Sequence, residues 1–390
     1  MQKPILRILG TSVTLIEQIR KQAEKDLNIQ IEYLIHDAET AQRIAVLYPE
    51  KYDLYDQWFH NIDFVWPVKS IQPIEVKKIK RWSEINDLAK TGKLTPDQII
   101  APGGVPSKRL YVQSDGTLDS RPTDLITMLP LTHNVDTFVY YPQFLPAHLD
   151  SEHESWAWLV DDHCKGVVAI QNDAAIGALD LAMAIQASGK LQFKDMGNLS
   201  IQEIDAMTEI LKQMRSHNFF KGFWRDDDQA YNLIASQEVH IGSVWYPTLI
   251  ELLKAKRNFK VACPKEGYRA WFGGIALSRN LKSPLLDTAY DYLNWWLEGW
   301  AGAMMARQGL YISNPLQTRR FLSEAEWNYW YMGMTANESL YGVDEQLLIE
   351  KGSQREGGSY LKRMGHIGVW NSVMDEHNYL VRKWKSFVNG

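Results

Sequence analysis

Within its first 35 residues the chain spells a strand, a helix and a second strand. Residues 5–9 alternate weakly, Ile-Leu-Arg-Ile-Leu. An amphipathic run from Val13 to Leu27 follows, with apolar Leu15, Ile16, Ile19, Ala23 and Leu27 at helical spacing. Residues 29–35 alternate again, as a strand does. A βαβ unit of this kind commits the chain to a parallel sheet with a right-handed crossover. Ligands in such sheets bind beyond the carboxyl ends of the strands. That places Thr11 and Ser12, directly after the first strand, at a ligand edge; the other reading is that they cap the helix.

The chain has 390 residues, long for one domain of about 100–200 residues, so two lobes are expected. Tyr52–Asp56 reads as a strand followed by Gln57-Trp58-Phe59, and residues 92–124 read as loop. Phe138–Tyr141, ended by Pro142, reads as the first crossing between lobes. A second α/β region follows. It holds a strand over 166–170, a helix opened by Asn172 and Asp173 that runs to about Ala187, and a helix over 201–215 with a Ser200/Glu203 capping box. A strand over 239–246, a helix over 249–256 and a strand over 259–263 complete it. The chain crosses back through 271–277 and enters a helix over 285–298. The last 70 residues read as mostly helical, interrupted by a polar loop at 352–359 and closed by one helix over about 367–387.

Composition excludes several functions. The net charge is −5 and no basic stripe is present; phosphate binding needs clustered Lys and Arg, so nucleic acid is not expected as a partner. The run at 77–81 reads as a solvated face. No stretch of about 18 apolar residues is present to span a membrane. No nucleophile elbow, phosphate loop, zinc-protease motif or dinucleotide fingerprint occurs, and no cofactor is expected. Asp161-Asp162-His163-Cys164 is too crowded for a typical zinc set and reads as a loop cluster. Arg225-Asp226-Asp227-Asp228 begins like a calcium loop but lacks the later Gly and Glu. No metal site is expected. Cys164 and Cys263 could form one disulfide if they meet. The 15 Trp, 18 Tyr and 12 Phe supply packing area, and also π-faces for cations and flat ligands.

Pro264-Lys265-Glu266-Gly267, Trp271, the run Ile275-Ala276-Leu277, Asn280 and then Gly309-Leu310-Tyr311-Ile312-Ser313-Asn314-Pro315 together resemble the periplasmic spermidine/putrescine-binding proteins of ABC importers. Ile241–Trp245, Gly166–Asp173, Tyr52–Phe59 and Ile71–Ile74 agree with that resemblance, which spans roughly residues 5–315. The tail resembles a longer subgroup of the same family. The resemblance implies a type II periplasmic-binding-protein fold: two Rossmann-like α/β lobes joined by crossing hinge strands that close on a ligand. Lobe 1 would take residues 1–139 and 270–318, lobe 2 residues 140–269, and residues 319–390 would form a helical extension packing across both. It further implies a non-catalytic monomer that hands a small molecule to a membrane permease. The location would be the periplasm, the export signal being absent from this sequence; a cytosolic protein is the alternative, since Met1 leads almost directly into a strand.

Trp245 and Trp271 fall where the family stacks rings on an amine, and Trp58 near a first-lobe contact. Asn172, Ile176 and Gly273 stand where carboxylates are expected. An unpaired ammonium in a closed cleft is costly, and an aromatic face returns only about 0.5–2 kcal/mol. A solute with one cationic head, or a zwitterion, therefore fits better than a long polyamine. Asp173, Asp136 or Asp226 could supply one carboxylate. His133 and Asn134, ahead of the first crossing, are candidate polar contacts, and Arg225 a candidate anchor for a ligand carboxylate. The rivals are a sugar or opine-like acid held by Arg225 or Arg269, an enzyme on the same fold, and a sensor partner for a membrane receptor.

Overall fold

Two sheets organise the chain, and the residues that pass between them decide where a ligand could sit. The structure, a computed structural model, describes residues 3–390. An eight-stranded sheet has the order Tyr311–Ile312, Leu129–Asp136, Tyr268–Ser278, Leu54–Trp58, Ile5–Gly10, Gln30–Ile35, with Ile71–Gln72 and Ile367–Trp370 also paired to Tyr268–Ser278. Ile5–Gly10 runs parallel to both its neighbours, as the opening βαβ pattern requires. Leu6, Ile8 and Leu9 are fully buried, because a sheet covered on both faces hides both sets of alternating side chains. A five-stranded sheet has the order Phe220–Trp224, Val168–Gln171, Ile241–Ser243, Phe138–Tyr140, Lys260–Val261. One hydrophobic cluster fills the first sheet and continues onto one face of the second, through Val139, Ala169 and Trp224; a separate cluster covers the second sheet's other face, with Phe138, Val168 and Ile170.

The chain changes sheet at Thr137. Phe138–Tyr140, expected as a crossing strand, instead pairs within the second sheet, antiparallel to Ile241–Ser243 and Lys260–Val261. It returns through Tyr268–Ser278, an eleven-residue strand buried along its whole length. The first helix begins at Glu17 with Ile16 at its cap position and no side-chain cap; Thr11 and Ser12 lie in the turns before it. The capping box of Ser200 and Glu203 is present on the helix Ile201–Ser216.

Two further expectations fail. Residues 92–124 are not simply loop: they hold a short helix, Ser107–Leu110, and strands of a small four-stranded sheet. The single helix over 367–387 is a strand, Ile367–Trp370, a turn, and a helix, His377–Asn389. The β-branched Ile367 and Val369 find a vacant edge beside Tyr268–Ala270, and sheet pairing there outweighs the helical spacing of the apolar residues. The terminal helix then buries Leu380, Trp384 and Phe387 in the second core. Cys164 and Cys263 are free thiols.

Candidate functional site

Where the chain passes between the sheets, a cavity of about 490 Å³ opens. Residues 135–137 form one wall, 244–246 and 257–259 another, and 347–350, 353–356, Tyr329 and Arg363 from the tail a third. A smaller one of about 220 Å³ lies on the other side of Tyr246, lined by Ser12, Asp227 and Arg307 among others.

Trp245 stands in the larger wall as the cap residue of the helix Tyr246–Lys254. Its indole Nε1 donates to Gln171 Oε1 at 2.7 Å, and its ring meets Trp224 edge-on at 5.1 Å. Trp271 does not line either cavity: it is 7% exposed and packs against Trp58 at 4.9 Å. Gly273 lies under that pair. A Cβ there would sit 2.8 Å from Thr132 Oγ1 and 3.1 Å from the Trp58 ring, which leaves no room for the carboxylate that relatives were expected to place there.

Asp136 is in the wall but engaged. Arg269, fully buried, reaches it at 3.4 Å, and donates to Asp180 at 2.6 Å and to Asn371 at 2.9 Å. Burial pushes the Asp136 carboxyl up to about 6, with Arg269 opposing. Arg269 is thus a tie between the sheets and the tail, not a ligand anchor.

His133 and Asn134 belong to the interior. His133 stacks on Phe272 at 4.5 Å, bonds Tyr360 at 2.9 Å and is held by burial at about 3. Asn134 donates to the Gly309 carbonyl at 3.2 Å. Asn172 accepts from the Trp384 indole at 3.0 Å, and Asp173 from Ala175 N at 2.7 Å. Asp226 caps the helix Asp227–Ala235, and Arg225 is exposed beside it. None of these four lines either cavity. Thr11 is buried with its hydroxyl unpartnered, and Ser12 is exposed. Close by, Asp56 is buried and accepts from the Thr14 hydroxyl at 2.9 Å; burial pushes its carboxyl up to about 7.

His148 and His163 both contact Asp161, at 3.0 and 3.1 Å. The group is part-exposed and internally satisfied, and lies in neither cavity wall.

Sequence reasoning missed Thr137, Tyr246 and residues 256–259 of the wall, and all of its tail residues. Arg355 comes from the polar loop at 352–359 yet is only 8% exposed. Its guanidinium donates to the Tyr246 hydroxyl and, at 3.3 Å, to Tyr311. Trp330 faces it at 4.7 Å, with Tyr329 at 6.0 Å. Burial alone would raise the Tyr311 hydroxyl, but Arg355 and Arg363 outweigh it and hold it below the ordinary tyrosine range. A lone arginine in a polar loop inside an aromatic-rich stretch was the available signal.

Gly309 completes this corner. Its φ is +76°, and a Cβ would fall 2.2 Å from the Tyr246 ring. Gly309→Ala is expected to cost roughly 1–3 kcal/mol through strain and overpacking, read as a lower midpoint in urea unfolding.

Two α/β units joined by crossing segments, with a polar and aromatic cavity at the crossing, define a two-lobed solute-binding protein. The chain belongs to the bacterial extracellular solute-binding protein family, whose profile matches residues 21–317. The fold resembles that of the spermidine/putrescine ABC transporter substrate-binding protein PotD from Streptococcus pneumoniae, at 13% identity over 100% of both chains and a TM-score of 0.65. It also resembles the Tp0655 (TpPotD) lipoprotein of Treponema pallidum, at 11% identity over 100% of this chain and 98% of that one, TM-score 0.65. A third similar structure is AgtB from A. tumefaciens R10 in complex with agropinic acid, at 12% identity over 100% of both chains, TM-score 0.61. No curated protein matches the chain. The family is one of transport receptors and not of enzymes. Such receptors bind small molecules and deliver them to ABC permeases, and no helix among the described residues is long and apolar enough to cross a membrane.

Proposed function

We propose that this protein is the periplasmic, monomeric receptor of an ABC importer for a small nitrogenous solute, cationic or zwitterionic in charge. The guest would sit where the two sheets exchange the chain, with Trp245 as one wall. In this reading the sheets are the cores of two lobes that close on the guest, and residues 319–390 span both. The observation that carries it is the cavity at residues 135–137 and 244–246, which joins elements of both sheets as an interlobe site must. Among the similar proteins, one is named for spermidine and putrescine and another is in complex with agropinic acid, which supports a small nitrogenous guest.

Thermal-shift screening of amines, betaines, amino acids, opines and sugars tests the reading. A ligand at 100 times its Kd is expected to add about 2.7 kcal/mol. Trp245→Ala is expected to weaken the best hit by roughly 5–30-fold, the worth of one desolvated aromatic face. Titration calorimetry checks this; unchanged affinity would remove Trp245 from the site.

A further inference from the structure

The charges around the larger cavity do not balance. Lys256, Arg257, Arg355 and Arg363 stand in its wall, with Asp136, Glu350 and Glu356. Two of the three acids are already engaged. Glu350 pairs with Lys256 at 2.8 Å, and Asp136 with Arg269 at 3.4 Å. Glu356 is the one acid of the wall left to face Arg257, Arg355 and Arg363, and its own side chain is exposed.

Arg355 and Arg363 are 8% and 3% exposed. Neither meets a carboxylate at ion-pair distance among the described residues; their partners are tyrosine hydroxyls, backbone carbonyls and aromatic faces. Arg363 donates to the Glu356 carbonyl at 2.7 Å and lies over the Tyr268 ring at 5.4 Å. Each guanidinium has a buried Nε without a partner. A buried cation is normally paired. Tyrosine hydroxyls satisfy N–H geometry but do not cancel charge. The missing partner therefore carries negative charge and arrives from outside the chain.

Resting on the receptor reading, we infer that the solute bears a carboxylate, which occupies the cavity against Arg355 and Arg363. Guanidinium forks suit a planar carboxylate. The aromatic rings around Arg355 fix it in one orientation, so little side-chain freedom is lost on binding. A diamine, with a cation at each end, would meet this wall with repulsion.

Matched solutes on the full chain test the inference. One series holds amino acids of increasing length, up to 4-aminobutanoate, and agropinic acid. The second holds the amino alcohols with the same skeletons, and the third putrescine and spermidine. Calorimetry is expected to give at least tenfold tighter binding for an acid than for its alcohol, with the diamine and triamine weaker still. Arg355→Gln is expected to erase that preference and Arg355→Lys to keep part of it; circular dichroism establishes that each variant is folded. Should a variant not fold, the wild-type comparison of acid against alcohol decides alone. Binding of alcohols, sugars or polyamines as tight as the acids overturns the carboxylate and leaves the receptor reading standing. No shift from any member of this panel or the wider screen overturns both.

Discussion

Replacing Arg269 with methionine is expected to lower the stability of the folded protein by about 3–5 kcal/mol, the usual cost of stranding buried charge. Arg269 has no exposed surface, and its Nε donates to Asp180, which is fully buried as well. Methionine fills the aliphatic volume but leaves the Asp180 carboxylate, and the Asp136 carboxylate at 3.4 Å, without a cation. One strand of the first sheet, one helix of the second unit and Asn371 of the tail also lose their shared tie. Urea unfolding measures the loss. Adding Asp136→Asn and Asp180→Asn is expected to recover most of it, because removing every charge of a buried cluster is far less costly than removing one. If the single variant loses under 1 kcal/mol, the cluster is not a structural tie.

Asp56→Asn is expected to flatten the response of stability to pH between about 4 and 7. Asp56 is 3% exposed and has one hydrogen bond, from Thr14. Burial raises its carboxyl to about 7 from an ordinary 3.8. The folded state therefore holds a proton that the unfolded chain has already released. Its stabilising contribution is complete at low pH and fades as pH rises through that window, by about 1.4 kcal/mol per unit. His60 and His133 act in the opposite sense. Burial holds both at about 3, so their contribution is complete above the ordinary histidine range and fades as pH falls. The wild-type profile mixes these slopes. The difference between wild type and Asp56→Asn, followed by urea midpoints at pH 4.5 and 7.5, isolates the aspartate: the variant is expected to be the more stable of the two at pH 7.5 by a few kcal/mol. An unchanged difference across the two pH values would mean that Asp56 is ionised in the fold.

The parts of this molecule written in short-range pattern were readable from the chain. Alternation in residues 5–9 and 29–35 and the helical spacing between them follow from the periods of strand and helix, and both strands lie in the first sheet. Ser200 and Glu203 announce a helix start because both partners lie within one turn. Ile367–Trp370 was not readable: its apolar residues suit a helix, and only the free edge of a strand some 100 positions earlier makes it a strand. The site was harder still. Trp271 and Trp58 satisfy each other, a pairing that depends on the register of two distant strands. His133 has the chemistry of a ligand contact but lies among Phe272, Tyr311 and Tyr360. Arg355 has meaning only through Tyr246, Tyr311 and Trp330, which come from three separate stretches of chain.

The tail leaves the first sheet at Trp370 and ends in a helix packed on Ile201–Ser216 of the second unit. It makes a third tether beside the passages at Thr137 and at residues 262–267. Two adjacent tethers permit twisting about a common line; a third, set apart from that line, converts twist into tension along its own length. Wide separation of the halves must therefore either stretch the turn at 371–376 or unzip Ile367–Trp370 from its neighbour. On the proposed receptor reading, how far the halves can part is limited by the last twenty residues as well as by the strands that divide them.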